Sequence, residues 1–253
     1  MKARIEPFDN YFAAARDVEK ELLDGAFPLV AGIRKYHEFF VDYVFSETNP
    51  LSPVQALLAM DAFMIFLSSI RVAMSGHGAA MFPLLRTALE AACYALLIGD
   101  SDEHREIWLK RDNTPESRNM CRSKFGSAVP DAAKRIQAKG WAAPKTEAWI
   151  RQAYDEAIDF GGHPNPKGVM PYVRVNKHHQ DGHHHISLAG VYGSDSFETT
   201  RCLMACLDIG LLIALILSNC RDEPYEDAVI ALNQLNELKE ELTKECFPSH
   251  VSS

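Results

Sequence analysis

The 253-residue chain lacks the short motifs that mark the common nucleotide-binding and hydrolase folds. It contains no GxGxxG, no P-loop lysine motif, no HExxH and no GxSxG. Internal repeats, low-complexity tracts and convincing inter-domain linkers are absent as well. Nucleotide-fold and hydrolase assignments therefore have no support in the sequence.

Cysteine is scarce, and its spacing does not favour a metal-binding or redox motif. The six cysteines form no CxxC pair, and most of them lie in apolar helical segments (Cys93, Cys121, Cys202, Cys206, Cys220 and Cys246). Cys202 and Cys206 are one helical turn apart, a spacing that would suit a soft metal. Buried thiols in a reducing cytosol are the favoured interpretation.

Export and membrane signals are also missing. The segment 1–9 has no apolar h-region and no cleavage signature. The most apolar stretch, Leu203 to Leu217, is short for a membrane span and is interrupted by Asp208. We therefore expect a cytoplasmic protein in which this stretch is a buried helix.

Helical periodicity dominates what is present, and the fold class predicted is mainly α: a multi-helix bundle forming one domain over residues 1–253. Ser52-Pro53 with Gln55 is a capping-box start, and Thr114-Pro115 is a second start. Gly161-Gly162 stops the helix that begins near Lys145. The predicted helices are 8–24, 27–46, 52–74, 78–98, 102–111, 115–125, 130–139, 146–160, 196–219 and 223–246.

A single β-hairpin is predicted over residues 170–193. Apolar and polar residues alternate on both sides of Asp181-Gly182, a favoured two-residue turn. This turn pairs Val175 with Leu188 and makes His178 and His185 cross-strand partners, with His183 diagonal on the same face. The three imidazoles are a candidate metal site for zinc, nickel or copper, against the alternatives of adventitious metal binding and a polar loop tip.

Two further patterns concern partners. In the last helix Ala228, Ala231, Leu235, Leu238 and Leu242 are spaced as a narrow packing seam, which serves either a homodimer or the domain's own core. Residues 110–145 hold nine Lys and Arg against three acidic residues, in a chain of net charge −8. This basic segment is either a phosphate-binding surface or a solvated helical lobe.

The most informative feature is a pair of opposite charges in an apolar helix. Arg86 and Glu90, four residues apart, are the only charges between Gly78 and Leu97. Because a helix that is apolar nearly all round is buried, the pair is expected to be either an internal strut or part of a polar pocket. His163, held at a helix exit between two glycines and Pro164, is expected to reach this pair, as an acid or base or as part of a satisfied network.

The segment Leu84 to Glu90 and the later Asp-Phe-Gly-Gly-His-Pro exit resemble a group of uncharacterised bacterial helical proteins. These are related in pattern to abortive-infection proteins and to the HEPN superfamily, and the resemblance covers roughly residues 55–165. It implies a helical bundle, often dimeric, and in many members a metal-independent endoribonuclease with the signature Arg, four to six residues, then His. Arg71 to His77 matches this spacing; Arg174 to His179 matches it too, but its odd separation on a strand puts the two on opposite faces.

Three functions are therefore predicted. The first is a HEPN-like stress or phage-defence factor without a cofactor that binds RNA or a nucleotide through the 110–145 region and cleaves RNA. Its candidate catalytic residues are Arg71, His77, Arg86, Glu90 and His163. The alternatives are a non-catalytic dimeric interaction module with a structural polar network, and a metal-dependent enzyme that uses His178, His183 and His185.

Overall fold

The computed structural model describes residues 7–46, 51–140, 143–162, 166–177, 184–221 and 226–248. The elements, in chain order, are α1 (Phe8–Asp24), α2 (Pro28–Phe39), α3 (Pro53–Met74), α4 (Gly78–Gly99), α5 (Asp102–Leu109), α6 (Pro115–Phe125), α7 (Ala128–Lys139), α8 (Thr146–Ala157), α9 (Pro166–Val169), β1 (Val173–Lys177), β2 (His184–Leu188), α10 (Phe197–Ser218) and α11 (Glu226–Cys246). A π-helical turn extends α2 over Phe40–Val44 and another extends α8 over Ile158–Gly162. The prediction of a mainly helical protein is confirmed.

Helix starts follow the predicted capping chemistry. The backbone N–H of Ser52 donates to Oε1 of Gln55 at 3.2 Å, and Thr114 and Ser117 cap each other's backbone N–H groups at the start of α6. The amide of Gln55 also donates to the carbonyl of Cys220 at 3.3 Å, which ties the start of α3 to the end of α10. The side chain of Gln55 thus takes part both in the local cap of α3 and in a tertiary contact.

The core is built around α4 and α10, which the remaining long helices surround. α4 packs against α3, α7, α8 and α10, and α10 packs against α2, α3, α4 and α11. Leu85, Leu89 and Leu96 on α4 are completely buried. Truncating one of them to alanine is expected to cost about 2–5 kcal/mol, because α4 has neighbours on nearly every side.

Within the described part of the chain, three helices are long and apolar enough to cross a membrane by length and composition: α3, α4 and α10. α10 has 22 residues, so the expectation that its apolar stretch is too short for a span is wrong. The helix begins at Phe197, before the apolar run, because Ser196 accepts from the N–H of Thr199 and caps it. The protein itself buries 72% of the apolar window of α10, 61% of that of α4 and 44% of that of α3.

The seam of α11 packs inside the chain. Ala228, Leu235 and Leu242 are buried, and α11 contacts α2 and α10. A Cβ on Gly32 of α2 would lie 2.8 Å from Leu242, so the glycine allows the two helices to approach closely. Of the two alternatives left open by the sequence, the structure favours the domain's own core over a dimer interface.

The strands β1 and β2 pair antiparallel with Val173 opposite Leu188 and Val175 opposite Ile186. The predicted register, Val175 with Leu188, is wrong by two residues. Because side chains alternate with a period of two, a shift of two leaves the apolar pattern unchanged, so the pattern does not distinguish these registers. The shift also makes Asn176 the cross-strand partner of His185, in place of His178.

Candidate functional site

Arg86 and Glu90 form the predicted ion pair, and a tyrosine of α8 completes it. Nε of Arg86 donates to Oε1 of Glu90 at 3.0 Å, and the hydroxyl of Tyr154 donates to the same oxygen at 2.6 Å. The guanidinium lies 5.4 Å from the centre of the Tyr154 ring, within cation–π range. The contact joins α4 to α8.

This cluster lies at the edge of the core, which corrects the expectation of a buried pair. The side chains of Arg86 and Glu90 are 32% and 30% exposed. Burial disfavours the charged form of Arg86, but the hydrogen bond and the charge of Glu90 outweigh it and raise the arginine pKa. Burial and Glu90 raise the pKa of Tyr154, so the phenol stays protonated and keeps donating. The geometry is that of a self-satisfied link between two helices.

Arg71 and His77 have separate partners, both involving α1. Arg71 lies 3.2 Å from Glu19 and is 78% exposed. The ring of His77 is hydrogen-bonded to the hydroxyl of Ser75 at 2.7 Å and stands edge-on to Tyr11. Partial burial lowers the pKa of His77 and outweighs a hydrogen bond to the backbone of Ser75, which raises it. This region lies at the α3–α4 turn, whereas Arg86 and Glu90 contact α8.

The remaining predicted site residues fall largely outside the described part of the chain. His163, His178 and His183 lie outside the described residues, and His185 is placed by its backbone opposite Asn176. Among the described residues, no group of three His, Cys, Asp or Glu side chains is arranged to hold a metal ion. The hairpin metal site stays a prediction.

The cysteines behave as buried thiols. Cys93, Cys121, Cys202 and Cys206 are buried and unpaired. Burial raises the pKa of Cys202 to about 12 and that of Cys206 well above its usual value, so both remain protonated. Neutral thiols in an apolar core are poor nucleophiles and poor metal ligands.

Many Lys and Arg side chains of the basic segment form ion pairs with neighbouring acidic residues. Lys110 pairs with Glu106, Lys124 with Glu103, and Arg111 and Arg118 with Asp112; Arg135 contacts Asp100. Several of these acids belong to α5, just outside residues 110–145. An open groove on this lobe includes Lys124 together with Glu103 and Asp131 in its lining. The surface of the lobe is therefore mixed in charge.

A cavity of about 460 Å³ between α4, α8, α10 and α11 is lined by several charged side chains that were not among the predicted site residues. We call it the charged chamber. It is lined by Phe82, Trp149, Gln152, Ala153, Glu156, Ala157, Phe160, Arg201, Met204, Ala205, Asp208, Ile209, Lys239, Glu240, Thr243 and Phe247. Its volume and its mixture of aromatic, apolar and a few charged side chains are those of a small-molecule site.

Among the residues that line the chamber is Lys239, whose side chain is only 10% exposed. Its ammonium lies 3.4 Å from Asp208 and 2.9 Å from Glu240, and 5.0 Å from the centre of the Trp149 ring. Asp208 and Glu240 present 43% and 53% of their side chains. One buried cation is thus shared by two carboxylates that still face open space.

Asp208 is short of positive charge. Its pKa is raised, first by burial and then by Glu156 and Glu240, although Lys239 acts in the opposite direction. The exposed part of the carboxylate faces the concave chamber, where the walls leave room for less water than a convex surface does. Loss of hydration therefore outweighs the neighbouring ammonium.

Another part of the lining is formed by Arg201 against two aromatic rings. Its guanidinium lies 5.0 Å from the centre of Phe160 and 5.6 Å from that of Phe82, and it donates twice to Glu198. Phe160 belongs to the π-helical turn after α8, and Gly161 brings that turn against α4: a Cβ there would lie 2.6 Å from the carbonyl of Ala79. The glycine is therefore needed to place Phe160 beside Phe82.

The sequence contains one signal for this chamber. Asp208 is the lone charge in the apolar run of α10. Its partner Lys239 lies on another helix, next to the seam residue Leu238. Without the packing of α10 against α11, nothing in the spacing links the two.

Compared with known proteins, the chain matches no family model, no curated protein and no solved structure. The resemblance to HEPN-like proteins therefore stays a prediction, and the function is argued from the geometry of the chain itself.

Proposed function

We propose that this protein is a binding protein for a small organic cation, which it takes into the charged chamber. The observation that carries this proposal is the shared ammonium of Lys239, held between Asp208 and Glu240 while both carboxylates face the cavity. A second cation placed there gains two carboxylate partners that are already positioned.

The charge balance of the wall favours a positive ligand. Three carboxylates and two cations line the chamber (Glu156, Asp208 and Glu240; Arg201 and Lys239). Glu198 already compensates Arg201. An anion entering the chamber would face a net negative wall, whereas a cation would relieve the repulsion among the carboxylates.

The aromatic lining favours an organic cation over a metal ion. Trp149, Phe82, Phe160 and Phe247 contribute ring surface to the chamber. Aromatic faces attract ammonium groups and also bury an apolar body. Hydrated metal ions would gain nothing from these rings, and oxygen ligands suited to them are separated by the ammonium of Lys239.

Calorimetric titration of the purified protein with benzyltrimethylammonium tests the proposal. We expect saturable binding that weakens at least tenfold in Asp208→Asn combined with Glu240→Gln. Glu241→Gln, on an exposed acid of the same helix outside the chamber, is the matched control and is expected to leave the affinity unchanged. Benzenesulfonate is expected not to bind. Absence of saturation by the cation at millimolar concentration, with folded protein, would contradict the proposal.

RNA cleavage by a HEPN-like bundle is the second candidate, favoured by the position of Arg111 in the basic segment. Burial and then the charge of Glu90 raise the pKa of Tyr94, one turn beyond Glu90 on α4, and the charge of Arg111 lowers it, so the basic segment approaches the Arg86 cluster. Metal-free protein incubated with total RNA, beside Arg71→Ala, Arg86→Ala and His163→Ala variants of verified fold, tests it. Cleavage lost in one folded variant supports a nuclease; intact RNA in every arm contradicts it.

A homodimer and a cytoplasmic location are retained as proposals. Because the α11 seam is internal, the candidate dimer surface moves to α3, where Leu57, Met60 and Met64 are exposed along one stripe. Sedimentation of the protein and of Met64→Lys tests self-association.

Partition between soluble and membrane fractions tests location, since the apolar sides of α4 and α10 are covered largely by the protein itself.

A further inference from the structure

A second cavity continues along the same pair of helices. It has a volume of about 140 Å³ and is lined by Ala143, Thr146, Trp149, Leu211, Leu215, Ser218, Asn219, Ala228, Val229, Leu232, Asn233 and Asn236. We call it the apolar chamber, because none of its described lining residues is charged and most of its exposed wall is apolar; the hydroxyl and amide side chains in the list make up the rest.

The two chambers follow one another along the same two helices and share one lining residue, so we treat them as sections of one groove. α10 and the residue after it contribute residues 201–209 to the charged chamber and 211–219 to the apolar chamber, and α11 with the residue after it contributes 239–247 and 228–236 in the same way. The step from Asp208 to Leu215 is about 10 Å along the helix axis at 1.5 Å per residue. This is the length scale of an extended alkyl chain of several carbons.

Trp149 is the wall that both chambers share. The ammonium of Lys239 lies 5.0 Å from the centre of its ring, and the same side chain borders the aliphatic residues of the apolar chamber. A ligand whose charged group sits beside Asp208 would therefore meet the Trp149 ring next, and then an uncharged pocket. The order of environments along the groove is charge, aromatic ring, aliphatic wall.

We infer that the ligand class is an amphipathic organic cation: an ammonium head group in the charged chamber with a linear apolar chain that passes Trp149 into the apolar chamber. The inference rests on the proposed function, since it assigns the head group to that site. The apolar chamber supplies chain-length selectivity, because each methylene transferred from water into it gains hydrophobic free energy.

A chain-length series of alkyltrimethylammonium ions, from methyl to decyl and below their micelle concentrations, tests the inference by calorimetry. We expect the affinity to rise about threefold to fourfold per methylene once the chain reaches the apolar chamber. It is then expected to level off when the chamber is full. Circular dichroism at each concentration checks that the protein stays folded, and alkyl sulfonates of equal length test the need for the positive head group.

Two neighbouring amides of α11 provide the matched variants. Both are exposed, but Asn233 lines the apolar chamber and Gln234 does not. Asn233→Phe is expected to fill the chamber and abolish the gain for long chains while leaving tetramethylammonium binding unchanged. Gln234→Phe is expected to keep the full series.

The outcomes separate the two proposals. Binding of tetramethylammonium with no dependence on chain length would overturn the amphipathic ligand and leave the charged chamber as a cation site. Failure of every cation to bind would overturn the proposed function itself. A chain-length gain that survives Asn233→Phe, or that alkyl sulfonates reproduce, would show that the chain binds elsewhere and overturn the inference.

Discussion

The Arg86 cluster and the Lys239 cluster each include a charge on an apolar helix, on α4 and on α10 respectively, yet they differ in how these charges are balanced. Arg86 has one carboxylate partner on its own helix, and Tyr154 donates to the same oxygen of Glu90. Lys239 is shared by two carboxylates, one of which, Asp208, lies on another helix and stays short of positive charge. A self-satisfied cluster links helices, whereas an unbalanced cluster that faces a cavity is prepared for a ligand.

Of the variants that test the difference between the two clusters, Lys239→Met is expected to change the free energy of unfolding most. Removing the ammonium leaves Asp208 and Glu240 without their shared cation. Losing one partner of a buried pair costs about 3–5 kcal/mol, and partial exposure of both carboxylates reduces this to about 2 kcal/mol. Urea unfolding at pH 7 measures the loss.

The same variant is expected to bind benzyltrimethylammonium more tightly, because the ligand then replaces the missing charge. Lys244→Met, on an exposed lysine of α11, is the control and is expected to change neither quantity. A variant that is less stable and also binds the cation less tightly would mean that the charge balance does not govern binding.

A smaller effect is expected for Arg86→Ala. Had the pair been fully buried, an orphaned Glu90 would cost a few kcal/mol, but both side chains are about one-third exposed. Solvent then compensates much of the loss, and Tyr154 still donates to Glu90, so we expect about 1 kcal/mol. Chemical unfolding measures the change, and cation affinity is expected to stay equal to that of the parent protein. A tenfold loss of affinity would remove the distinction between the two clusters.

The smallest effect is a pH-dependent gain of stability in Asp208→Asn. Because the folded-state pKa of Asp208 is raised, the folded protein binds this proton more tightly than the unfolded chain does. Ionisation of Asp208 therefore costs stability above its folded pKa, and the cost disappears as the pH falls toward the unfolded value of about 3.9. The asparagine variant is expected to exceed the parent by under about 1 kcal/mol near pH 7.

Unfolding of parent and variant in parallel from pH 7 to pH 4 checks the sign. The difference between them is expected to shrink as the pH falls. A difference that grows toward acid pH would show that Asp208 is stabilised as the anion, and the argument for an uncompensated carboxylate would fail.

Local signals predicted the helices well. Capping at Ser52 and Thr114 and the glycines after Phe160 mark boundaries within a few residues, since each acts over one helical turn. The Arg86–Glu90 pair was predictable for the same reason: residues four apart on a helix are neighbours wherever the helix lies. The contribution of Tyr154, 64 positions away along the chain, was not.

The sequence by itself determined the helical character, most helix boundaries and the one ion pair internal to a helix, because these depend on interactions among residues a few positions apart. Tertiary structure alone decided that the α11 seam packs inward and that Arg86 lies at the edge of the core. It also decided the strand register, because the alternation of apolar and polar residues is the same for registers that differ by two residues. The ion pair between Asp208 and Lys239 was likewise decided by the packing of α10 against α11. Those outcomes depend on which faces meet when helices pack. An apolar face in the sequence indicates that the face is covered, but it does not indicate which element covers it.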